Sequence, residues 1–586
     1  MRHITRTTSH AGILCSVILL LALTTLATAA GAKTSGQPQA AGSNQELLLS
    51  GRTVNIDGDG VPDGTVTVTI GGKRVAPDQV ALTQGNGFYQ VRIKLAPDTL
   101  PTSRVKLTFK HPSYESVTRT VGPVAANGKT PGGAQRYLAH FSLTLHHRVS
   151  PALWIAAAVL LAVYIFIAFD MMHRTLAAMV GAAVLLFVSY TAGSFDPAFR
   201  IMTFTQASHA IDDNVIFLLM AMMIIVGVTK KTGVFQWLAY KSFQMARGNI
   251  FALSAVLMVV TAVTSAFLDN VTTMLLMIPV TVEIALALDI TPLALLMPEV
   301  FASNVGGTAT LIGDPPNIMI GSYASLSFNQ FVEHLAVVCL IGLAMSIAYF
   351  LFYFRRSYHS ARVSDIPAMI ARLRSEYRIT DKPLLVKSGI VLAITVALFI
   401  FHDSLHMQPS IAAMAGASLL LIISGVHIVD MVEQEIEWAT LLFFMMLFIL
   451  VAGAQQTGLI QAIANGVSAL SQGSPVLAVT LVLWGSAIFS AIIDNIPFTA
   501  TMLPVVAYLT KSMAGVHGAL LWWALSLGAC LGGNGTLLGA SANVVTAGLA
   551  EKAGYPISFR QYLRIALAPM LITVAISMLW LLWVAR

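Results

Sequence analysis

The sequence predicts an all-α polytopic membrane protein of two inverted repeats, with re-entrant hairpins and broken helices, preceded by a small all-β sandwich domain. Three observations predict it. Of 586 residues, 56% are hydrophobic and only 10% charged, where a soluble chain carries roughly a quarter charged residues. From Pro151 onward the apolar residues gather in runs near the ~20 that cross a bilayer as a helix. Inside those runs, a set of polar motifs occurs twice.

The net charge of +7 does not point to nucleic acid, because the basic residues sit in short loops between apolar runs, where they orient the chain in a membrane. Cys15, Cys339 and Cys530 lie inside apolar segments without CxxC spacing, which excludes a disulfide framework and a zinc site.

At the N-terminus, Arg2, His3 and Arg6 precede an apolar stretch from Ala11 to about Leu26, then Ala27, Ala29 and Ala30. This pattern reads as a signal peptide over residues 1–30. A polar linker follows over 31–45, and then the hydrophobic period changes to two: Val66, Val68, Ile70; Val91, Ile93, Leu95; Val105, Leu107, Phe109; Phe141, Leu143, Leu145. Short alternating strands between turn clusters predict an exported, periplasmic β-sandwich over 46–147. The stretch Gly51 to Val68, with Asn86-Gly87-Phe88-Tyr89, resembles carboxypeptidase regulatory-like (transthyretin-like) domains. Asp57, Asp59 and Asp63 are calcium-ligand types, but no terminal Glu completes an EF-hand loop, so they read as a solvated turn.

The transporter-like region, 150–586, holds apolar spans at about 151–169, 174–193, 213–229, a pair over 250–288, 292–324, 331–354, 385–402, 410–427, 437–455, a pair over 475–510, 520–549 and 567–585. Basic residues concentrate between Arg355 and Lys387, which places that loop in the cytoplasm. Counting back places Pro151 outside, in agreement with the export signal. The expected location is a bacterial inner membrane.

Thr232-Gly233, Asp269-Asn270 and Pro279 recur 225 residues later as Thr457-Gly458, Asp494-Asn495 and Pro504. Gly306-Gly307, Thr310-Leu311, Gly313 and Asn317 recur 226 later as Gly532-Gly533, Thr536-Leu537, Gly539 and Asn543. Repeat 1 spans about 207–354 and repeat 2 about 432–586. Two further spans and the basic loop 355–387 separate them, so the repeats are expected to be inverted, an arrangement suited to alternating access.

The duplicated residues are unsuited to lipid contact. Ser303, Asn304, Gly306, Gly307, Thr308, Thr310, Asp314 and Asn317 sit mid-segment, with Pro315 and Pro316 among them; Gly532, Gly533, Asn534, Thr536 and Asn543 form the second copy. Glycines and prolines break a helix, and a break at membrane depth is tolerated only against protein or a wet site. Asn, Thr and Ser oxygens then join backbone groups to coordinate a small hard cation or an oxyanion. Close packing through small residues is the competing explanation. Asp269-Asn270 with Thr272, and Asp494-Asn495 with Thr499, read as hairpin tips. A carboxylate at bilayer depth costs roughly 2.5–3.5 kcal/mol on insertion scales, which makes it a functional candidate, although an Asp there also caps the returning helix.

Phe267-Leu268-Asp269-Asn270-Val271-Thr272-Thr273, Ser303 to Asn317 and Asp494-Asn495-Ile496-Pro497 resemble the arsenite permease (ArsB), NhaD antiporter and P-protein branch of the ion transporter superfamily, which is related to divalent anion–sodium symporters. The resemblance covers residues 150–586. It implies a scaffold and a mobile transport domain whose hairpins and broken helices meet at the substrate.

The acids in both repeats favour cation–proton antiport, with sodium and protons as coupling ions, no cofactor and no metal beyond transported sodium. The alternatives are a sodium- or proton-coupled carrier of a carboxylate or other oxyanion, and arsenite efflux. No arginine lies within either motif to pair a carboxylate substrate. The expected partners are a small inorganic ion or small anion and membrane lipid; a homodimer is compatible with the chain. The enzymatic alternative, an intramembrane aspartyl protease using Asp269 and Asp314, is disfavoured because residue 311 is Leu and the repeat replaces Asp314 with Ala540.

Overall fold

The computed structural model describes residues 45–55, 60–61, 64–70, 73–75, 81–83, 87–95, 105–111, 114–121, 126–129, 135–145, 148–360, 366–513 and 519–585. The signal peptide, the linker through residue 44 and the Asp57, Asp59 and Asp63 turn lie outside them. Two compact units emerge. One comprises the β-domain through Ala156 with Val184–Thr203 and Gln456–Gly458; the other comprises Ala157–Ala183, Phe204–Gln455 and Leu459–Arg586.

The described residues of the β-domain form two five-stranded sheets. In the first, β1 (Gln45–Val54) runs antiparallel to β5 (Phe88–Leu95) and parallel to β9 (Gln135–His140). In the second, β2 (Thr65–Ile70) and β6 (Val105–His111) pair antiparallel. The alternation seen in the sequence is the pleat: Leu47, Leu49, Val91 and Ile93 from one sheet share a core with Val66, Val68, Leu107 and Phe109 from the other. The strand expected around Phe141–Leu145 is only Leu143–Thr144.

Buried Tyr89 donates its hydroxyl to Phe141 O at 2.7 Å, and burial pushes that hydroxyl from 10.0 up to about 12. A raised folded value means that the native state holds its proton more tightly. Its contribution is therefore full below pH 10.0 and is lost as pH rises from 10.0 towards about 12. Protease resistance of the domain is expected to fall across that window. Tyr89→Phe should lower resistance slightly at neutral pH, by one hydrogen bond of about 1 kcal/mol, and should flatten the alkaline loss.

Among the described residues, ten helices are long and apolar enough to cross a membrane. The chain enters through α1 (Pro151–Ala168) and α2 (Arg174–Tyr190). The first repeat is α3 (Asp213–Lys230), α4 (Val234–Ala246), α5 (Ile250–Phe267), α6 (Asn270–Ala287), α7 (Leu293–Thr308), α8 (Pro315–Ala324) and α9 (Phe328–Tyr353). After α10 (Lys382–Phe401) and α11 (Pro409–Ser424), the second repeat matches it helix for helix: α12 (Trp438–Gln456), α13 (Leu459–Ser471), α14 (Pro475–Ile492), α15 (Asn495–Ser512), α16 (Leu520–Gly532), α17 (Ser541–Lys552) and α18 (Phe559–Val584).

Between the starts of α3 and α12 lie α3, α9 and α10, each long and apolar enough to cross a membrane, with the shorter apolar α11 and the broken helix α7–α8. Taken as five crossings they make an odd number, whether α5–α6 turns back or crosses twice, and an odd number is what inverted repeats require. The duplicated Thr-Gly opens α4 and α13, two short helices that lie between the predicted spans. Its reason is local: Gly233 at φ 74° and Gly458 at φ 84° turn the chain through the left-handed region, where glycine carries no Cβ penalty.

Candidate functional site

The hairpin tips are built alike. After α5, Leu268 is extended and Asp269 is the N-cap of α6, its Oδ1 accepting from Thr272 N at 2.9 Å. After α14, Ile493 is extended and Asp494 caps α15, its Oδ1 accepting from Ile496 N at 3.0 Å. Both aspartates therefore cap. One carboxylate oxygen satisfies backbone donors at the helix start, leaving the other for further chemistry.

The breaks are pinned by the second amide of each motif. Asn317 Nδ2 donates to Thr308 O at 3.0 Å and Thr310 O at 2.8 Å; Asn543 Nδ2 donates to Gly533 O at 2.8 Å and Thr536 O at 2.9 Å. These amides take up carbonyls released where α7 and α16 end. Thr310 and Thr536 hold the breaks to the hairpins by donating to Ala266 O and Ala491 O. Gly307 faces Gly313, and Gly533 faces Gly539, so closely that a Cβ would meet backbone.

The repeats interlock at this level, since α6 packs on α17 and α8 on α15. Asn270 Nδ2 donates to Asn304 Oδ1 at 3.0 Å. Asn304 Nδ2 donates across the pseudo-symmetry to Asn534 Oδ1 at 2.9 Å and Asn543 Oδ1 at 3.0 Å. Asn495 Nδ2 reaches both Asp314 oxygens at 3.3 and 3.4 Å. Ser303 Oγ donates to Asn270 O at 3.3 Å, and Thr308 Oγ1 back-bonds to Asn304 O. Every side chain in this cluster, Asp314 included, is buried.

Amide orientations follow from the chain of partners. Because Asn543 spends its Nδ2 on backbone carbonyls, it must offer Oδ1 to Asn304, and Asn304 then offers Nδ2 to Asn534 as well. That leaves Asn534 Nδ2, a donor only, buried without a protein partner; Thr499 Oγ1 and Thr273 Oγ1 are also unpartnered.

The two aspartates of the repeat are not equivalent. Asp494 Oδ2 accepts from Ser541 Oγ at 2.9 Å and lies 3.6 Å from Arg174 Nη1. Arg174 comes from the start of α2, outside both repeats. It also donates to Ser541 Oγ at 2.6 Å and Thr440 Oγ1 at 3.2 Å, and lies over the Phe443 ring. Thr440 in turn donates to Glu437 Oε2 at 2.9 Å. So an arginine does reach the site, although none lies within the motifs. Asp269 makes no ion pair with any described residue beyond its capping bonds. Asp314, with no counterpart in the second repeat, is 1% exposed and within Coulomb range of both Asp494 and Asp269. Among the described residues no three His, Cys, Asp or Glu side chains converge tightly enough to grip one metal ion. An ion here would draw its ligands from amide, hydroxyl and backbone oxygens beside single carboxylates.

The Arg174–Asp494 pair is half-buried, so each single change leaves an uncompensated charge. Arg174→Gln and Asp494→Asn should each lower the melting temperature in detergent. The double variant is expected to recover part of that loss, giving a coupling on the order of 1–3 kcal/mol in a double-mutant cycle.

Comparison with known proteins agrees with this architecture. A family model described as citrate transporter (CitMHS) matches residues 164–528. An uncharacterized transporter of Mycobacterium tuberculosis (strain ATCC 25618 / H37Rv) is 42% identical over 429 residues, covering 73% of this chain and 97% of the relative. A 46 kDa membrane protein of Mycobacterium leprae is 42% identical over 430 residues, with 73% and 97% covered. The P protein of Homo sapiens is 34% identical over 513 residues, with 75% of this chain and 60% of that protein covered.

Proposed function

The chain belongs to the citrate transporter family as a multi-pass membrane protein, and from that premise we propose that it is a secondary active cation–proton antiporter. The observation that carries this reading is the charge of the site. Asp269, Asp314 and Asp494 neighbour the amide cluster of Asn270, Asn304, Asn534 and Asn543, and among the described residues Arg174 is the one cation paired with any of them. A net negative, largely desolvated site attracts cations or protons and repels a bare polyanion. Sodium or a proton bound at Asp269 would neutralise the carboxylate that lacks a basic partner.

A second reading is supported by one specific observation. Asn534 Nδ2 is an unpaired donor, and with Arg174 it suits a carboxylate oxygen, in keeping with the family's name. Because of the site's charge, such an anion would have to enter together with cations or protons.

The test uses the purified protein in liposomes loaded with a pH-sensitive dye, pulsed with sodium, lithium, arsenite or citrate. Cation antiport is expected to give proton movement on sodium or lithium alone. No proton movement with either cation, together with uptake of labelled citrate, would replace the first reading with the second.

The proposal extends to placement. Residues 1–30 serve as an export signal and 31–45 as a linker, and the β-domain over 46–147 faces the periplasm of a bacterial inner membrane. Protease added to spheroplasts should then cut the domain. Resistance until the inner membrane is ruptured would reverse the orientation.

A further inference from the structure

Glu299 is a buried acid of the membrane region that the site described above does not use. It lies in α7, is 0% exposed, and has Oε1 held by Thr281 Oγ1 of α6 at 3.0 Å. Its Oε2 is buried with no protein partner. An ionised carboxylate with one oxygen unsatisfied in such surroundings is costly, whereas the neutral acid is cheaper to bury.

The fold does not need an acid there. The second repeat builds the equivalent helix, α16, with Leu525 at the matching position and Val506 opposite Thr281. The two bundles pack in the same way, α7 on α5 and α16 on α14. A carboxylate present in one copy only is therefore not architecture.

Its neighbourhood is polar at both ends. One residue earlier, Pro298 has no N–H and leaves the carbonyl of Ala294 without its helical donor. Tyr358, in the helix Arg355–Ser360 that opens the basic loop, supplies one: its hydroxyl reaches Ala294 O at 2.7 Å and Ser254 Oγ of α5 at 2.9 Å. In the other direction Ser303 is one helical turn beyond Glu299, about 6 Å along the axis, where it meets Ser265 Oγ at 3.2 Å and Asn270 O at 3.3 Å. Ser254, Thr261 and Ser265 share one stripe of α5, and Thr261 Oγ1 is buried without a partner.

We propose that Glu299 is a proton-binding site of the transport cycle, set between the Tyr358 hydroxyl and the Ser265–Ser303–Asn270 edge of the substrate site. A proton adds to Oε2, forming one O–H bond and taking the side chain from −1 to 0, while Thr281 keeps donating to Oε1; deprotonation reverses the step. The groups facing Glu299 leave it free to do this. No residue of α5 is titratable, and Glu283 of α6 turns away to Arg372, at 3.2 Å, and to Tyr377. Tyr349 of α9 donates to Ile565 O, and Cys530 of α16 lies against Asn317. Tyr358 is the titratable group in electrostatic contact with Glu299. The proposal rests on the transport reading, so its test includes a readout that needs no transported ion.

Infrared spectra of the reconstituted protein are taken from acid to alkaline pH, and the carboxylic C=O band missing in Glu299→Gln is followed. The expected result is a band that titrates reversibly, with Thr281→Val raising its midpoint by about one pH unit through loss of a hydrogen bond to the charged form. A band present at every pH, or at none, would show a fixed charge state and overturn the proposal. If Glu299→Gln does not fold, Glu299→Asp takes its place by shifting the band, and no shift with either Asp or Thr281→Val has the same consequence. In liposomes pulsed with sodium, Glu299→Gln should lower proton flux at least tenfold and Glu299→Asp should restore part of it. Wild-type pH dependence in Glu299→Gln would also overturn the proposal. A titrating band without transport of sodium, lithium or citrate by the wild type would instead refute antiport and leave the proton site standing.

Discussion

Asp269→Asn is expected to abolish exchange, by at least a hundredfold in initial rate, while the protein still inserts and stays monodisperse in detergent. The change keeps the volume and one carbonyl oxygen, so the cap on Thr272 N survives with a neutral acceptor. It removes the one repeat carboxylate without a basic partner and, with it, the titratable proton. Asp494→Asn should be as inactive for a second reason, because it also strands Arg174, which now holds Asp494 at 3.6 Å. Asn304→Ala is expected to act differently, mainly raising the concentration of cation needed for half-maximal exchange. It deletes a neutral junction between Asn270, Asn534 and Asn543 and leaves the charges in place. Exchange measured against pH and sodium for each variant separates these outcomes. Near-normal, pH-dependent exchange in the Asp269→Asn/Asp494→Asn double variant would remove both carboxylates from the mechanism and favour anion transport.

The parts legible in the sequence are those where backbone need and side-chain chemistry coincide. An Asp between two apolar runs, followed by Asn, marks a hairpin tip because a cap and a buried charge ask for the same residue. Paired glycines duplicated at one spacing mark the breaks. What stayed hidden has physical reasons as well. Arg174 stands at the edge of an apolar run, and nothing local shows that α2 delivers it to Asp494. Asn317 and Asn543 spend their Nδ2 groups on broken-helix carbonyls; a sequence does not say which way an amide faces. Glu299 occurs in one repeat alone, so the duplication does not mark it. The helices α4 and α13 are too short to cross a bilayer and so fall below a span-length filter.

The glycines that carry the interlock offer the other large effect. A Cβ on Gly306 would stand 2.1 Å from Ala262 O and 2.5 Å from Ala262 Cα; on Gly532 it would stand 2.4 Å from Ala487 Cα and 2.5 Å from Ala487 O. These neighbours are backbone atoms of α5 and α14, which no rotamer change can move aside. Gly306→Ala or Gly532→Ala must therefore push a broken helix off its hairpin, at a cost of about 1–3 kcal/mol or more for overpacking. Alanine's better helix propensity, about 1 kcal/mol, offsets only part of this. Both variants should melt well below the wild type in detergent. Gly306→Ala should also lose transport, since Asn304 lies on the same turn and bonds across to Asn534 and Asn543. Gly389→Ala and Gly485→Ala are the controls, because nothing lies within 4 Å of a Cβ at either; they should melt at or slightly above the wild-type temperature. The comparison separates helix propensity from contact, as all four changes add the same methyl group to a helix. Wild-type melting of Gly306→Ala would mean that α5 and α7 can part without loss, and the duplicated glycines would then need another explanation.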